Sequence, residues 1–153
     1  MKNRPITFEP DLTAIIRKCS VCNVAMVDAE GFPYVVPMNF GYEKDVVYLH
    51  SAPSGKKIDI LKQHPDVCIS FSTDHQLRWQ SSEIACSYSM KYRSVILYGQ
   101  IEFVDDFNEK LVALESIMRQ YTEQATRFSD PAVNQVCVMK VKVRKIEGRA
   151  YGY

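Results

Sequence analysis

Three observations in the sequence predict a barrel-like α+β domain. About six apolar segments alternate with a period of two. The turns joining the first three are too short for anything but antiparallel pairing, and two to three other segments switch to helical spacing. With 153 residues, 46% of them apolar, the chain is sized for one core. It is read as a single domain over 1–153, with residues 1–10 a loosely held N-terminal segment.

The elements follow in order. Asp11 to Lys18 sets Leu12, Ile15 and Ile16 on one side of a short helix. Val21 to Val27 reads as a strand closed by Asp28-Ala29-Glu30-Gly31, and Tyr34 to Phe40 returns beside it as a hairpin. Glu43-Lys44-Asp45 turns the chain into Val46 to His50. From Ser54 the period changes: Ile58 and Leu61 stand three apart and Pro65 stops the helix. Val67, Ile69 and Phe71 restore the strand period. Tyr92 to Val104 is a long strand with Val95, Leu97, Ile101 and Phe103 on one face, where Gly99 marks a bend or bulge. Asp106 through Glu109 has cap spacing for a helix carrying Phe107, Leu111, Leu114, Met118 and Tyr121. Val136 to Lys145 alternates last, with Cys137, Met139, Val141 and Val143 inward and Lys140, Lys142 and Arg144 outward.

Nineteen basic and eighteen acidic residues leave a net charge of +1. Nucleic-acid and membrane-surface binding need a concentrated positive field, so neither partner is expected. The opening MKNRPITFEPDL lacks the apolar core of a signal peptide, and no run approaches the ~20 apolar residues of a membrane span. Five scattered cysteines, an odd number, suit reduced thiols in a cytoplasm. Cys19 and Cys22 have metal or redox spacing, yet no second such pair completes a zinc site and no helix follows them directly. They read as structural thiols, and no metal is expected.

The most informative stretch is Tyr48-Leu49-His50-Ser51-Ala52-Pro53-Ser54-Gly55-Lys56-Lys57. A strand ends in small and hydroxyl-bearing residues, turns at Pro53, and enters a helix through Gly55 and two lysines. Free N–H groups at a helix start, the helix dipole, hydroxyls and cations together make a phosphate site. It is not a Walker loop, because the glycine spacing and the Lys-Ser/Thr ending are missing. The plain alternative is a surface helix with solvated lysines. Lys91-Tyr92-Arg93-Ser94 is a second cationic stretch; it either converges on the same phosphate or is simply solvated. In Pro33-Tyr34-Val35-Val36-Pro37-Met38-Asn39-Phe40, two prolines frame a strand. Proline cannot donate to a ladder, so Pro37 marks an edge or an irregular position, either protected against aggregation or offering backbone groups to a planar heterocycle.

Taken together, Pro33 to Gly41, Tyr48 to Ala52 with Gly55-Lys56-Lys57, and Tyr92-Arg93-Ser94-Val95 with Gly99 resemble the pyridoxamine-5′-phosphate-oxidase-like flavoproteins, in particular their nitroimidazole-resistance branch. The resemblance runs from about Asp11 to Val104. It implies a six-stranded antiparallel FMN-binding split β-barrel with two to three flanking helices, working as a homodimer with FMN at the interface. By motif, Ser51, Gly55, Lys56 and Lys57 would hold the FMN phosphate, with Ala52 also among the cofactor-binding residues. Met38, Asn39 and Phe40 would border the ring, and Arg93, Ser94 and Val95 would line the rest. His50 matches a histidine near the flavin, which makes it a candidate proton donor; the alternative is a histidine that only packs at a strand end. The arginine- and histidine-bearing C-terminal signature of pyridoxamine-phosphate oxidase itself is missing, so that oxidation is not expected. Tyr151 and Tyr153 either cover a flavin across an interface or fray.

The implied function is a flavin-dependent reductase that passes electrons from NADH or NADPH to a small electrophile such as a nitroaromatic. Two alternatives stand beside it: a non-catalytic FMN-binding or electron-transfer module, and a haem-handling split barrel in which His50 would be a ligand.

Overall fold

The computed structural model describes residues 3–153. Its strands are β1 (Asn3–Ile6), β2 (Cys22–Val27), β3 (Pro33–Met38), β4 (Phe40–Glu43), β5 (Val46–Ser51), β6 (Asp66–Arg78), β7 (Ser89–Val104), β8 (Cys137–Lys142) and β9 (Lys145–Tyr151). The helices are α1 (Glu9–Lys18), α2 (Lys56–Gln63), α3 (Phe107–Tyr121) and α4 (Asp130–Gln135). All recorded strand pairs are antiparallel. The order β3-β2-β6-β7-β8-β5-β4, with β9 joining β1 to β7, does not close on itself.

The structure therefore corrects the expected six strands to nine and the two to three helices to four, counted among the described residues. One of the extra strands comes from splitting, and another lies almost wholly beyond the last expected run. The run 34–40 breaks at Asn39 into β3 and β4, and the run 136–145 stops at Lys142 before the chain turns into β9. The third is β1, which lies in the segment read as loosely held. Asn3–Ile6 pairs with Gly148–Tyr151, and α1 begins at Glu9. Met1 and Lys2, also within that segment, lie outside the described residues.

Strand β7 carries the architecture. Residues 92–98 pair with β9, whereas Ile101–Val104 pair with β8 along the same side of the strand. Gly99 sits at this exchange, and a Cβ there would stand 2.6 Å from the Lys142 carbonyl oxygen and from Val141 Cγ1. No register shift falls at Gly99, since the β6–β7 ladder is irregular only between Thr73 and Gln76; Gly99 instead marks the seam at which one strand serves two sheets. The β2–β3 hairpin is held by Asp28, whose Oδ1 accepts from the N–H groups of Glu30 and Phe32 at 3.0 and 2.9 Å.

Alternation builds the main core. Cys22, Val24 and Met26 of β2, Ile69 and Phe71 of β6, Val95 and Leu97 of β7 and Met139 and Val141 of β8 are all buried in it. Helix α1 adds Leu12, Ile15 and Ile16, and α2 adds Ile58, Ile60 and Leu61. Fully burying each such side chain is worth roughly 1.5–3 kcal/mol. Phe40 packs edge-on against Phe71, with ring centroids 4.9 Å apart. Its N–H donates to Tyr121 Oη (3.2 Å), which itself donates to the Ser20 carbonyl (2.8 Å). A second, smaller core forms where Ala113, Leu114 and Ile117 of α3 and Val133 of α4 cover Val104 and Val138. Asp106 caps α3, accepting from Glu109 N–H at 3.0 Å, as the spacing predicted.

Cys19 and Cys22 lie in the main core as free thiols. They donate to the carbonyls of Ile15 (3.3 Å) and Met38 (3.5 Å), and burial pushes the Cys22 thiol up to about 12. Protonated thiols of this kind are inert packing groups. No helix among the described residues is long and apolar enough to cross a membrane.

Candidate anion-binding loop and its strand edge

Strand β5 ends at Ser51 and the chain turns through 52–55 into α2. Gly55 occupies the cap with φ +126° and ψ 171°, and space beside it is open. L-residues rarely adopt this φ, so glycine is what lets the loop deliver Lys56 and Lys57 at the first turn. The Gly55 carbonyl accepts from Ile58 and Asp59 N–H at 2.9 and 3.1 Å. The N–H groups of Lys56 and Lys57 precede the helical ladder, pointing out of the helix end with the positive end of its dipole. Ser51, half-buried, donates from Oγ to the Ala52 carbonyl at 2.8 Å, and Ala52 itself is exposed. Lys56 Nζ stands 4.5 Å from the Tyr34 ring centroid, so the loop lies over β3.

That strand is an edge of the sheet, as the prolines predicted. The β2–β3 ladder runs unbroken from Cys22 opposite Met38 to Val27 opposite Pro33. Pro37 has no N–H, so it must occupy a position that does not donate to β2, and alternation places Pro33 and Val35 in the same class. Between the two prolines the outward edge therefore offers carbonyls and a single donor, the Val35 N–H. Asn39, exposed, interrupts the strand just beyond.

The other expected site residues are placed differently. Met38, Phe40 and Val95 are buried in the main core, so only their backbone can face a ligand. Arg93 does not meet Lys56 and Lys57 within one chain. The register sets Tyr34 level with Gly99, six residues from Arg93, which is about 20 Å along the strand. Arg93 Nη1 instead binds Asp74 Oδ2 at 2.6 Å, and its guanidinium stacks 3.7 Å from the Tyr153 ring centroid. Lys18 approaches the same carboxylate at 3.3 Å. Arg93, followed by Lys18, holds the Asp74 carboxyl below its ordinary range. Ser94 lies half-buried on the opposite face of β7 from Val95.

His50 alternates with the buried Leu49 and sits opposite Val138, hence on the α3 side with Tyr48. Its Nδ1 is buried without a hydrogen-bond partner, and burial lowers its pKa. Neutral imidazole is therefore the favoured form at pH 7. Sequence reasoning left Tyr34 without a role, although it lies inside the quoted motif. It also missed Asp74, which neither charge pattern nor spacing connects to Arg93. Tyr151 and Tyr153 do not fray: Tyr151 stacks on Tyr92, and Tyr153 Oη donates to the Asp74 carbonyl at 2.6 Å.

An antiparallel sheet split about one shared strand is the split-barrel arrangement, and the cation-bearing loop over its free edge is a candidate anion site. The sequence profile of the pyridoxamine 5′-phosphate oxidase family matches residues 9–150, and the chain belongs to that family. Among solved structures it is similar to a candidate 5-nitroimidazole antibiotic resistance protein from Bacteroides thetaiotaomicron, with 46% identity and a TM-score of 0.88 over 97% of this chain and 87% of that one. It also shares its fold with the flavocytochrome Anf3 from Azotobacter vinelandii (21% identity, TM-score 0.80, 99% and 70% covered). The same holds for an FAD and haem binding protein from Mycobacterium smegmatis (17%, 0.82, 100% and 75%). No curated protein matches the chain.

Proposed function

We propose that the protein is a cytoplasmic FMN-dependent oxidoreductase that passes electrons from NADH or NADPH to a small electrophile of nitroaromatic type. The carrying observation is the loop Gly55-Lys56-Lys57 laid over the β3 edge, an anion site beside a backbone edge of defined donor pattern. These residues fit FMN: a dianionic phosphate finds two ammonium groups, free N–H groups and the positive end of α2. The planar ring finds the Val35 N–H and the carbonyls around it, with Asn39 at the end of the strand. FMN, when bound, supplies hydride acceptance and onward electron delivery. The chain's part is to bind the phosphate, orient the ring along β3 and limit water. His50 is left out of proton delivery, because its imidazole faces α3 and burial favours its neutral form. The 46% identity with the candidate nitroimidazole resistance protein supports the choice of acceptor.

The reading includes a homodimer that completes the site. One face of β7 carries Met90, Tyr92, Ser94, Ile96 and Tyr98, all exposed or half-buried, opposite the buried Val95 and Leu97. Beyond it an arm presents Leu77 and the stacked pair Trp79 and Tyr88, centroids 5.5 Å apart, to solvent. A second copy lying on this apolar face would wall the open edge of β3. Trp79 is the single tryptophan, so its emission should shift to shorter wavelength as the dimer forms with rising concentration.

The deciding experiment is anaerobic. Protein loaded with FMN and mixed with NADH or NADPH should lose its flavin absorbance, and a nitroimidazole should restore it. Protein that takes up no FMN overturns the reading. A second reading, a non-catalytic FMN-holding or electron-transfer module, is favoured by the want of a well-placed acid at His50, and flavin uptake without bleaching would select it. A Soret band on haem titration, lost in His50→Ala, would select haem handling instead.

A further inference from the structure

Past Thr73 the sheet narrows to two strands. Gln76–Arg78 of β6 pair with Ser89–Lys91 of β7, whereas β2 ends its pairing with β6 at Ser70 and β9 ends its pairing with β7 at Tyr92. A two-stranded ribbon is at best marginally stable in water by itself. The turn of this arm is nevertheless built. Ser87 Oγ donates to the Ser81 carbonyl at 2.7 Å, Tyr88 Oη donates to the Ser82 carbonyl at 3.0 Å, and the rings of Trp79 and Tyr88 stack. Of the thirteen large apolar side chains exposed among the described residues, five (Leu77, Trp79, Ile84, Tyr88 and Met90) stand on the arm. Such a concentration on a preformed projection calls for a cover.

The same face of the sheet offers one at its other end. Every residue that alternation turns outward on β2 (23–27), β3 (33–37), β6 (68–72) and β7 (90–98) is uncharged, although 24% of the chain is charged. Beside them Lys145, Glu147 and Arg149 of β9 form a charged border. An uncharged centre with a charged rim is the pattern of a protein–protein interface. Val35, Ala25, Cys68 and Tyr98 stand level across four strands. The two middle strands carry the small Ala25, Cys68 and Ser70, with Val35 on one side and Ile96 and Tyr98 on the other, which makes a shallow trough.

We propose that this trough receives the arm of a second copy of the chain, so that Trp79 and Tyr88 of that copy stand against Val35 and complete the β3 edge in trans. The arm begins at Ser89, nine residues or about 30 Å along β7 from Tyr98. A two-fold axis lying between two such faces and crossing β7 midway, near Ser94, sets each arm on the other copy's trough, as an isologous contact requires. Four strands spaced ~4.8 Å over about 20 Å, continued by two over about 20 Å more, give each copy roughly 600 Å² of flat face. Partners in a stable interface contribute about 600–1,000 Å² each. The docking stands on the sheet face alone, while the role given to Trp79 rests on the flavin reading above.

Two measurements test it. In a Cys68→Ser background, Val27→Cys, two residues beyond Ala25 on the same face, should be joined by a short bismaleimide to the exposed Cys86 of another chain. A dimer band on a denaturing gel is expected, and neither the background alone nor the added Cys86→Ser change should give one. A band in the background alone, or none with Val27→Cys, would overturn the docking. In FMN titrations, Trp79→Ala chains and Lys56→Ala, Lys57→Ala chains should each bind at least fivefold more weakly. Heterodimers of the two, isolated through two tags, should recover the parent affinity at half of their sites. Undiminished affinity in Trp79→Ala, or heterodimers no tighter than either variant, would overturn the completion in trans. FMN uptake without the crosslink sinks the arm placement alone, whereas a crosslink in a chain that takes up no FMN sinks the flavin reading and supports the docking.

Discussion

Lys56 and Tyr34 join the two halves of the candidate site: the ammonium of the first residue of α2 stands 4.5 Å from the ring centroid on the edge strand β3. This cation–π contact is worth about 0.5–1 kcal/mol in an exposed setting. It holds the loop over the edge and leaves Lys56 able to face a second negative group. Replacing Lys56 and Lys57 together by Ala removes both side-chain cations while leaving the backbone N–H groups. FMN affinity should fall by about 1–3 kcal/mol. Equilibrium flavin titration checks this, and an unchanged dissociation constant would move the phosphate elsewhere.

How legible each feature was depended on sequence distance. Gly55-Lys56-Lys57 could be read because a helix start, its glycine and its cations are neighbours along the chain. The edge character of β3 could be read because Pro37 acts through its own missing N–H. The surroundings of Arg93 could not: Asp74 and Tyr153 reach it from 19 and 60 residues away, and no local pattern signals an ion pair. Strand β9 escaped because Lys145, Glu147 and Arg149 occupy alternate positions beside a glycine, which resembles a polar tail. The pairing with β1 and β7 on its two sides, not its apolar content, makes it a strand. His50 was assigned by motif alone, and strand alternation decides which face it occupies.

Burial holds the His50 imidazole below its ordinary 6.5, so the unfolded chain binds its proton more readily than the folded protein. The sign follows directly. The neutral side chain costs nothing in protonation above about pH 6.5, and stability is lost as pH falls from there toward the lower folded value. His50→Leu removes both this slope and the unpartnered Nδ1. Melting temperatures measured between pH 7.5 and 5 should decline less in the variant than in the parent, and parallel curves would contradict the burial argument.

Ser116 lies in α3 at 2% exposure, and its Oγ has no hydrogen-bond partner. The folded state thus carries a desolvated hydroxyl without compensation. Ser116→Ala removes that cost and favours the helix, so stability should rise by roughly 0.5–1.5 kcal/mol in urea unfolding. A loss of stability would mean the hydroxyl is satisfied in solution, for instance by water.

Gly99 offers the sharpest test of the split architecture. At this residue β7 exchanges its partner β9 for β8, and the backbone of Lys142 crosses within reach of where a side chain would begin. The φ of Gly99 is not in the left-handed region, so backbone strain is not the issue; space is. A methyl group would stand 2.6 Å from the Lys142 carbonyl oxygen and from Val141 Cγ1, well inside van der Waals contact. Val141 can change rotamer only against a packed core, and the carbonyl belongs to the strand itself. Gly99→Ala must therefore push β8 away from β7 at the four-residue ladder Ile101–Val104, the segment that ties the two sheets together. Overpacking of this kind costs about 1–3 kcal/mol. The effect should appear as a lower melting temperature and faster hydrogen exchange along β8, with β2, β3 and the loop at Gly55 unaffected. If the exchange increase were spread evenly over the whole sheet, the seam would not be the local joint described here.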